Sequence, residues 1–404
     1  MSVIVPEEIR NRDSIIKSLA DTDLYKFTMA QVVLHRFPKA FVKFKFKCRS
    51  DWDLSKYVDE INMELDSLCT LRFTPEELGY FRNEIPFFSS DFVDYLGMIQ
   101  LKRDQIKCYV DEAGELQIIA EGPWRDVIWF EVPVLAIVQE VYTRNEYPDM
   151  DFAAGRASLQ DKIELGHHYF KRLRMVINDF GTRRRFSRDW HEEVVATLSK
   201  QLDRTMFTGT SNVLLAMKYG LKPIGTMAHE YLQAGQGLGE VPLVKSVSYM
   251  LQQWVEEYRG DLGIALSDVV GFDAFLRDFD KYFAKLYDGC RHDSGDPFEW
   301  GERLIEHYTK LGIPAATKTA VFSDGLDFPL AFRLAEQFRG RINTSFGIGT
   351  NLTNDVGVKP LQIVMKMVEC NGNPVAKISD SKGKGMCEDA EFLNYLKRVY
   401  KIKD

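Results

Sequence analysis

Hydrophobic and polar positions alternate cleanly along AFVKFKFKCRS. Val42, Phe44, Phe46 and Cys48 fall on one side, and Lys43, Lys45 and Lys47 on the other. A period of two is the mark of a strand with one buried and one solvated face. In RFTPEELGYF, Thr74, Pro75 and Glu77 stand in the order of a capped helix start. IKCYVDEAGELQIIAEG predicts a hairpin that turns at Gly114. The first 150 residues therefore predict an α+β unit.

From about residue 175 the pattern changes. Seven short stretches end in small or polar residues, and most run on into helical periodicity: MVINDFGTRR, MFTGTSN, KPIGTMAHE, IALSDVVG, GCRHDSGDP, TKTAVFSDGLD and INTSFGIGTN. Repeated βα units imply a parallel sheet or barrel, and in a barrel the loops after the strands share one mouth. Seven units fall one short of a regular eight, so a doubly wound sheet is the alternative. After residue 355 the chain reverts, with KPLQIVMKMVECNGNPVAKISD predicting a hairpin at NGN and EDAEFLNYLKRVY a final helix. The fold expected is α/β: an incomplete, irregular β/α barrel of about seven strands over residues 151–354. Residues 1–150 and 355–404 together would form the α+β domain, the last residues packing back on the N-terminal part.

Composition narrows the function without naming it. The chain has 404 residues, 45% hydrophobic and 27% charged, with 52 Lys and Arg against 59 acidic residues for a net charge of −7. That length suits two or three domains. The charge argues against bulk nucleic-acid binding, which needs net positive surface. The six cysteines are scattered without a CxxC pair, so neither a zinc or redox motif nor a disulfide framework is expected. The N-terminus has no signal-like apolar region and no run reaches a membrane span, which predicts a cytoplasmic location.

The candidate chemistry lies in the seven loops. FGIGTNLTND and FSDGLD place glycine just past a strand, where backbone N–H groups can hold phosphate or simply make a tight turn. No GxxxxGK[ST] is present, so no P-loop is expected. GTMAHE offers His229 at a loop-to-helix junction, as a packing residue or as a base or nucleophile. RHDSGDP supplies Arg291, His292, Asp293 and Asp296, either as an internal salt bridge or as a place for Mg²⁺ and a phosphorylated sugar. His167 and His168 are adjacent on a helix and diverge by about 100°, so they do not face one ion. HxH and HExxH are absent, which sets a zinc hydrolase aside. Arg183, Arg184 and Arg185 in FGTRRRFS fit a solvated patch or an anion site.

Together and in order, DTDLYKFTMAQ, FGTRRRFS, GTSNVLLA, GTMAHE, RHDSGDP, FSDGLD, FGIGTNLTND and KISDSKGKGMC resemble the nicotinate phosphoribosyltransferases, a branch of the type II phosphoribosyltransferases. The resemblance covers almost the whole chain. It implies an ATP-dependent, ligase-type enzyme in the first step of NAD synthesis from nicotinate. Nicotinate would displace pyrophosphate from 5-phosphoribosyl-1-pyrophosphate with Mg²⁺ present, ATP hydrolysis being coupled through phosphorylated His229. It also implies a homodimer with shared active sites, Tyr25 reaching into the neighbour's.

Carried over by position, Tyr25 and Phe180 would sandwich the pyridine ring, and Thr226, Arg291 and Arg183 would lie against nicotinate. Gly347, Gly349 and Thr350 match the cradle for the sugar phosphate, with Asp324 and Gly325 near the ribose. Asp268 would orient His229, and Asp293 would hold ribose hydroxyls or metal waters. Arg184 and Arg185 would face ATP, pyrophosphate or solvent, and SKGKG matches a basic loop over ATP phosphates. Ser211 stands where the nicotinamide-using relatives carry aspartate, which favours the acid as substrate because a carboxylate there would repel it. The readings to be separated from this one are a relative acting on nicotinamide or another pyridine, and a non-catalytic sugar-phosphate sensor.

Overall fold

The computed structural model describes residues 12–380 and 385–402. Its first sheet is antiparallel and draws on both halves of the chain, in the order Asn373–Pro374, Ile363–Cys370, Phe41–Cys48, Leu116–Pro123, Ile106–Val110. Phe41–Cys48 pairs with Leu116–Pro123 on one side and with Ile363–Cys370 on the other. The alternation read from the sequence is the reason: Val42, Phe44 and Phe46 are buried. Thr74 and Glu77 form the reciprocal capping box that starts the helix Pro75–Glu84, and Gly114 turns its hairpin at φ 82°.

The second sheet contains the seven expected strands, and every neighbouring pair is parallel. The order is Lys222–Pro223, Phe207–Thr210, Ile177–Asp179, Asn343–Ile348, Thr319–Phe322, Gly289–His292, Ile264–Leu266. The first strand in sequence thus lies beside the last, the closure of a barrel rather than of a doubly wound sheet. The curl is open at one seam, between the third and fourth strands. There the Thr226 hydroxyl donates to the Ile264 carbonyl at 2.9 Å, and the Thr28 hydroxyl donates to the Thr226 carbonyl at 2.6 Å. The helix Leu24–Arg36, which carries Thr28, is buried continuously from Leu24 to Val33.

The strand at Ile363–Cys370 returns to the N-terminal sheet, and Glu388, just before the last helix Ala390–Val399, pairs with Lys45 of that sheet, while the far end of the helix is held by other elements. The Tyr400 hydroxyl meets Ser246 and the Leu243 carbonyl, and Arg277 donates to the Tyr400 carbonyl. An amphipathic pattern shows that a helix has an apolar side, not which neighbour covers it.

Three helices are joined by one histidine. His35 reaches Glu257 through Nδ1 at 2.6 Å and Asp91 through Nε2 at 2.9 Å. The bond to Glu257, followed by that to Asp91, raises its pKa against the effect of burial. A raised folded pKa contributes stability that is complete below the unfolded value, about 6.5, and disappears as pH rises through the folded value. His35→Gln should therefore flatten the loss of thermal stability that the wild type shows on going upward from about pH 6.5; parallel melting curves of the two proteins across that range would contradict it.

Candidate active site

The strand ends open onto a cavity of about 400 Å³. The loop after Ile177–Asp179 gives it Phe180, Gly181, Arg183 and Arg184, and the loop after Phe207–Thr210 gives Ser211. Arg291 and Asp293 come from the end of Gly289–His292, and Ser323, Asp324 and Gly325 from the end of Thr319–Phe322. Gly349 and Thr350 follow Asn343–Ile348. The antiparallel sheet closes the far side with Arg49 and with Gln362 to Lys366, and Lys377 lies beyond that strand.

At one end Tyr25 and Phe180 supply aromatic walls. The Arg183 guanidinium lies 5.7 Å from the centre of the Tyr25 ring, and two carboxylates flank it: Asp23 at 3.6 Å and Glu131 at 4.0 Å. Ser211 donates its hydroxyl to Asp23 at 2.7 Å. Tyr25 lines the cavity of its own chain. The cause is local: the Leu24 N–H donates to the Ser211 carbonyl at 2.8 Å and pins this segment to the barrel's second strand.

The three arginines separate by role. Arg183 faces the aromatic walls. Arg184 also lines the cavity and donates to the Gln362 side chain at 2.9 Å. Arg185 turns the other way: it is fully buried and grips Asp21 with two bonds of 2.7 Å. Facing neither ATP, pyrophosphate nor solvent, it ties the segment that carries Tyr25 to the loop that carries Phe180.

Behind Asp293 stands the histidine. His229 is buried at the start of the helix His229–Gly237, and its Nε2 lies 2.7 Å from Asp268 and 3.5 Å from Asp293. Asp268 also meets Lys377 at 2.9 Å and accepts from Ser294 at 2.7 Å. Burial, together with Lys377, pushes the His229 pKa down to about 4 despite Asp268, so the imidazole is neutral at neutral pH. A neutral ring whose Nε2–H donates to Asp268 keeps the Nδ1 lone pair for attack. Burial raises Asp293 but Arg291 and His229 outweigh it, holding the carboxyl down to about 2.

His229, Asp268 and Asp293 bring donor atoms within 4.8 Å of one another. Asp268 is already engaged by His229, Lys377 and Ser294, which makes this trio the histidine's hydrogen-bond shell. Of the carboxylates on the cavity wall, Asp293 and Asp324 lie at neighbouring strand ends and could hold a Mg²⁺, an ion that keeps several waters and needs only one or two such ligands.

Thr226 uses its hydroxyl on Ile264 across the seam and does not line the cavity, where Gly225 stands in its stead. Gly347 lies under Phe180: a Cβ added there would come within 2.2 Å of that ring, so the glycine makes room for the aromatic wall. Gly349 and Thr350 do line the cavity. Of SKGKG, residues 381–384 lie outside the described residues.

Sequence reasoning missed Asp23, Arg49, Glu131, Lys366 and Lys377. Lys366 had a signal, since it alternates with buried Met365 and Met367 on the polar face of its strand. Burial and the nearby Lys377 push its pKa down to about 8. Periodicity identifies that face but not that the barrel mouth covers it.

Comparison with known proteins agrees with this architecture. The model of the nicotinate phosphoribosyltransferase family matches residues 175–404, and that of the family's N-terminal domain matches residues 20–139. The chain is 56% identical over 391 residues to nicotinate phosphoribosyltransferase of Burkholderia mallei (strain ATCC 23344), covering 96% of this chain and 97% of that one. It is 55% identical over 393 residues to the enzyme of that name from Bordetella pertussis, covering 96% of each. Among solved structures, nicotinate phosphoribosyltransferase of Vibrio cholerae superposes with a TM-score of 0.92 at 38% identity, over 99% of this chain and 97% of that one. The Porphyromonas gingivalis protein of the same description gives 0.90 at 32%, over 96% and 100%.

Proposed function

Because this chain belongs to the nicotinate phosphoribosyltransferase family, we propose that it transfers phosphoribose from 5-phosphoribosyl-1-pyrophosphate to nicotinate, coupled to ATP hydrolysis through phosphorylated His229. The pyridine nitrogen forms a C–N bond at the anomeric carbon while the C–O bond to pyrophosphate breaks, and pyrophosphate leaves with the bonding electrons.

The observation that carries this reading is the distribution of groups around one cavity. An aromatic pair with Arg183 suits a flat ring bearing a carboxylate. Arg291, Lys366 and Lys377 supply positive charge for a sugar phosphate and a departing pyrophosphate. Asp293 and Asp324 would hold Mg²⁺, which when bound neutralises charge developing on the leaving group. The His229–Asp268 pair behind Asp293 has the neutral imidazole that phosphoryl acceptance requires. Its phosphoryl group would bring about −1.5 to −2 charges next to Lys377, by analogy with other phosphorylated side chains.

Mass spectrometry of products from a panel of pyridine acceptors tests the transfer. Nicotinate mononucleotide is expected as the main product; preferential use of nicotinamide, or no product from any acceptor, would sink the reading. Ser211→Asp tests acceptor choice. A carboxylate at 211 would face both Asp23 and the substrate's own charge. The ratio of kcat/KM for nicotinate over nicotinamide should fall by about tenfold or more, and an unchanged ratio would show that discrimination lies elsewhere.

A further inference from the structure

Beneath the aromatic slot runs a line of side chains whose charges alternate in sign, buried except at Arg183, which opens on the cavity. Asp23 meets Arg183 at 3.6 Å, Arg183 meets one oxygen of Glu131 at 4.0 Å, and the other oxygen of Glu131 meets the Lys26 ammonium at 2.6 Å. Lys26 also bonds Glu230, whose second oxygen accepts from the Trp124 indole N–H at 3.2 Å. Lys26 is completely buried, and neither it nor Glu230 lines the cavity. Glu230 is the residue after His229.

We propose that Lys26 is a positioning residue that couples the acceptor slot to the histidine helix, by setting how strongly Glu131 holds Arg183. The inference rests on the reading that the slot takes a carboxylate-bearing pyridine. The contacts to Arg183 are the loose ones, while those to Lys26 are close, so the guanidinium is the member able to turn toward a ligand. A ligand carboxylate competes with Asp23 and Glu131 for it. Because each glutamate oxygen serves a different cation, whatever tightens Glu131 on Lys26 releases Arg183, and whatever removes Lys26 leaves Glu131 to Arg183 alone. Coupling of this kind is reciprocal in binding free energy. Filling the slot therefore changes the hold on Glu230, and a change at the start of the histidine helix alters affinity in the slot. Burial lifts Glu230 to about 7 against the pull of Lys26, so neutralising it is the mildest change that can be made to the line.

Calorimetric Kd values for nicotinate and for uncharged nicotinamide test this in the full-length protein. Glu230→Gln should tighten nicotinate about fivefold, because Lys26 then acts on Glu131 alone. Lys26→Met with Glu230→Gln removes one charge of each sign and should weaken nicotinate about tenfold, as Glu131 reclaims Arg183. Nicotinamide affinity should change in neither variant. Equal changes for both ligands would mean damage to packing and would overturn the proposal. Nicotinate shifts of the same sign in the two variants, or no shift, would overturn it too. Glu230→Gln is isosteric and decides alone if the double variant does not fold. A wild-type protein that binds nicotinate no better than nicotinamide would overturn the acceptor reading, and the proposal with it.

Discussion

Incubated with Mg²⁺ and γ-labelled ATP, the wild-type protein is expected to take up label that survives base and is lost in acid, while His229→Ala takes up none. With ATP present, kcat/KM for the sugar substrate should fall by about 10²-fold in the variant, the scale of losing a positioned reacting group. Without ATP the two proteins should be much closer. The environment of His229 adds a pH test. An ordinary imidazole gives up its lone pair to a proton below about pH 6.5. Burial and Lys377 push this one down to about 4, so the initial rate of label uptake, read on samples quenched in base, should persist well below pH 6.5 and decline only toward the lower value. Asp268→Asn removes the acceptor that fixes the ring at 2.7 Å, and should slow labelling without abolishing it. Label that remains in His229→Ala would place the phosphoryl group on another side chain.

Arg185→Met is expected to produce the largest loss of stability. The arginine and Asp21 are both buried and joined by two bonds of 2.7 Å, and Asn212 donates to the same carboxylate at 2.7 Å. Removing one member of a buried pair strands the other's charge, at about 3–5 kcal/mol. In a chain of this size that corresponds to a fall in Tm of roughly 5 °C. Combining Arg185→Met with Asp21→Asn should restore most of the loss, because an uncharged pair has little to desolvate. A double variant no more stable than the single one would show that the cost is packing. Burial opposes ionisation of Asp21, yet Arg185 wins and the carboxyl pKa lies below its usual value. The pair's contribution is thus present above the ordinary aspartate range and is lost as pH falls through the lowered value.

The order of elements was legible because it depends on local chemistry. Lysines alternating with Val42, Phe44 and Phe46 gave the strand, and seven glycine- or polar-ended stretches gave the seven parallel strands. What was not legible is what each face meets. The polar face of Phe41–Cys48 continues across the pairing of Lys45 with Lys366 into a strand that walls the cavity. Three adjacent arginines look alike in sequence, yet a single turn, Thr182–Arg184, sends Arg183 and Arg184 to the cavity and leaves Arg185 to the interior. Nothing in the loops of Thr226 and Gly347 foretold that one closes a seam and the other makes space for a ring. Asp23 stood two residues before Tyr25 in a quoted motif without a role assigned to it, and Glu131 carried no motif at all; only the fold brings them to the arginine.

The antiparallel sheet has a consequence for how the chain is made. Its central strand, Phe41–Cys48, is synthesised early, but the partner Ile363–Cys370 leaves the ribosome more than three hundred residues later. Until then that edge of the sheet is unpaired, a state open to wrong association. Lys366 and Lys377 arrive with the same late segment, so a nascent chain that has only just completed the strand Asn343–Ile348 has Tyr25 and Phe180 without these two lysines. Completion of the cavity is thus one of the last events of translation, and a chain cut short there lacks one of its walls.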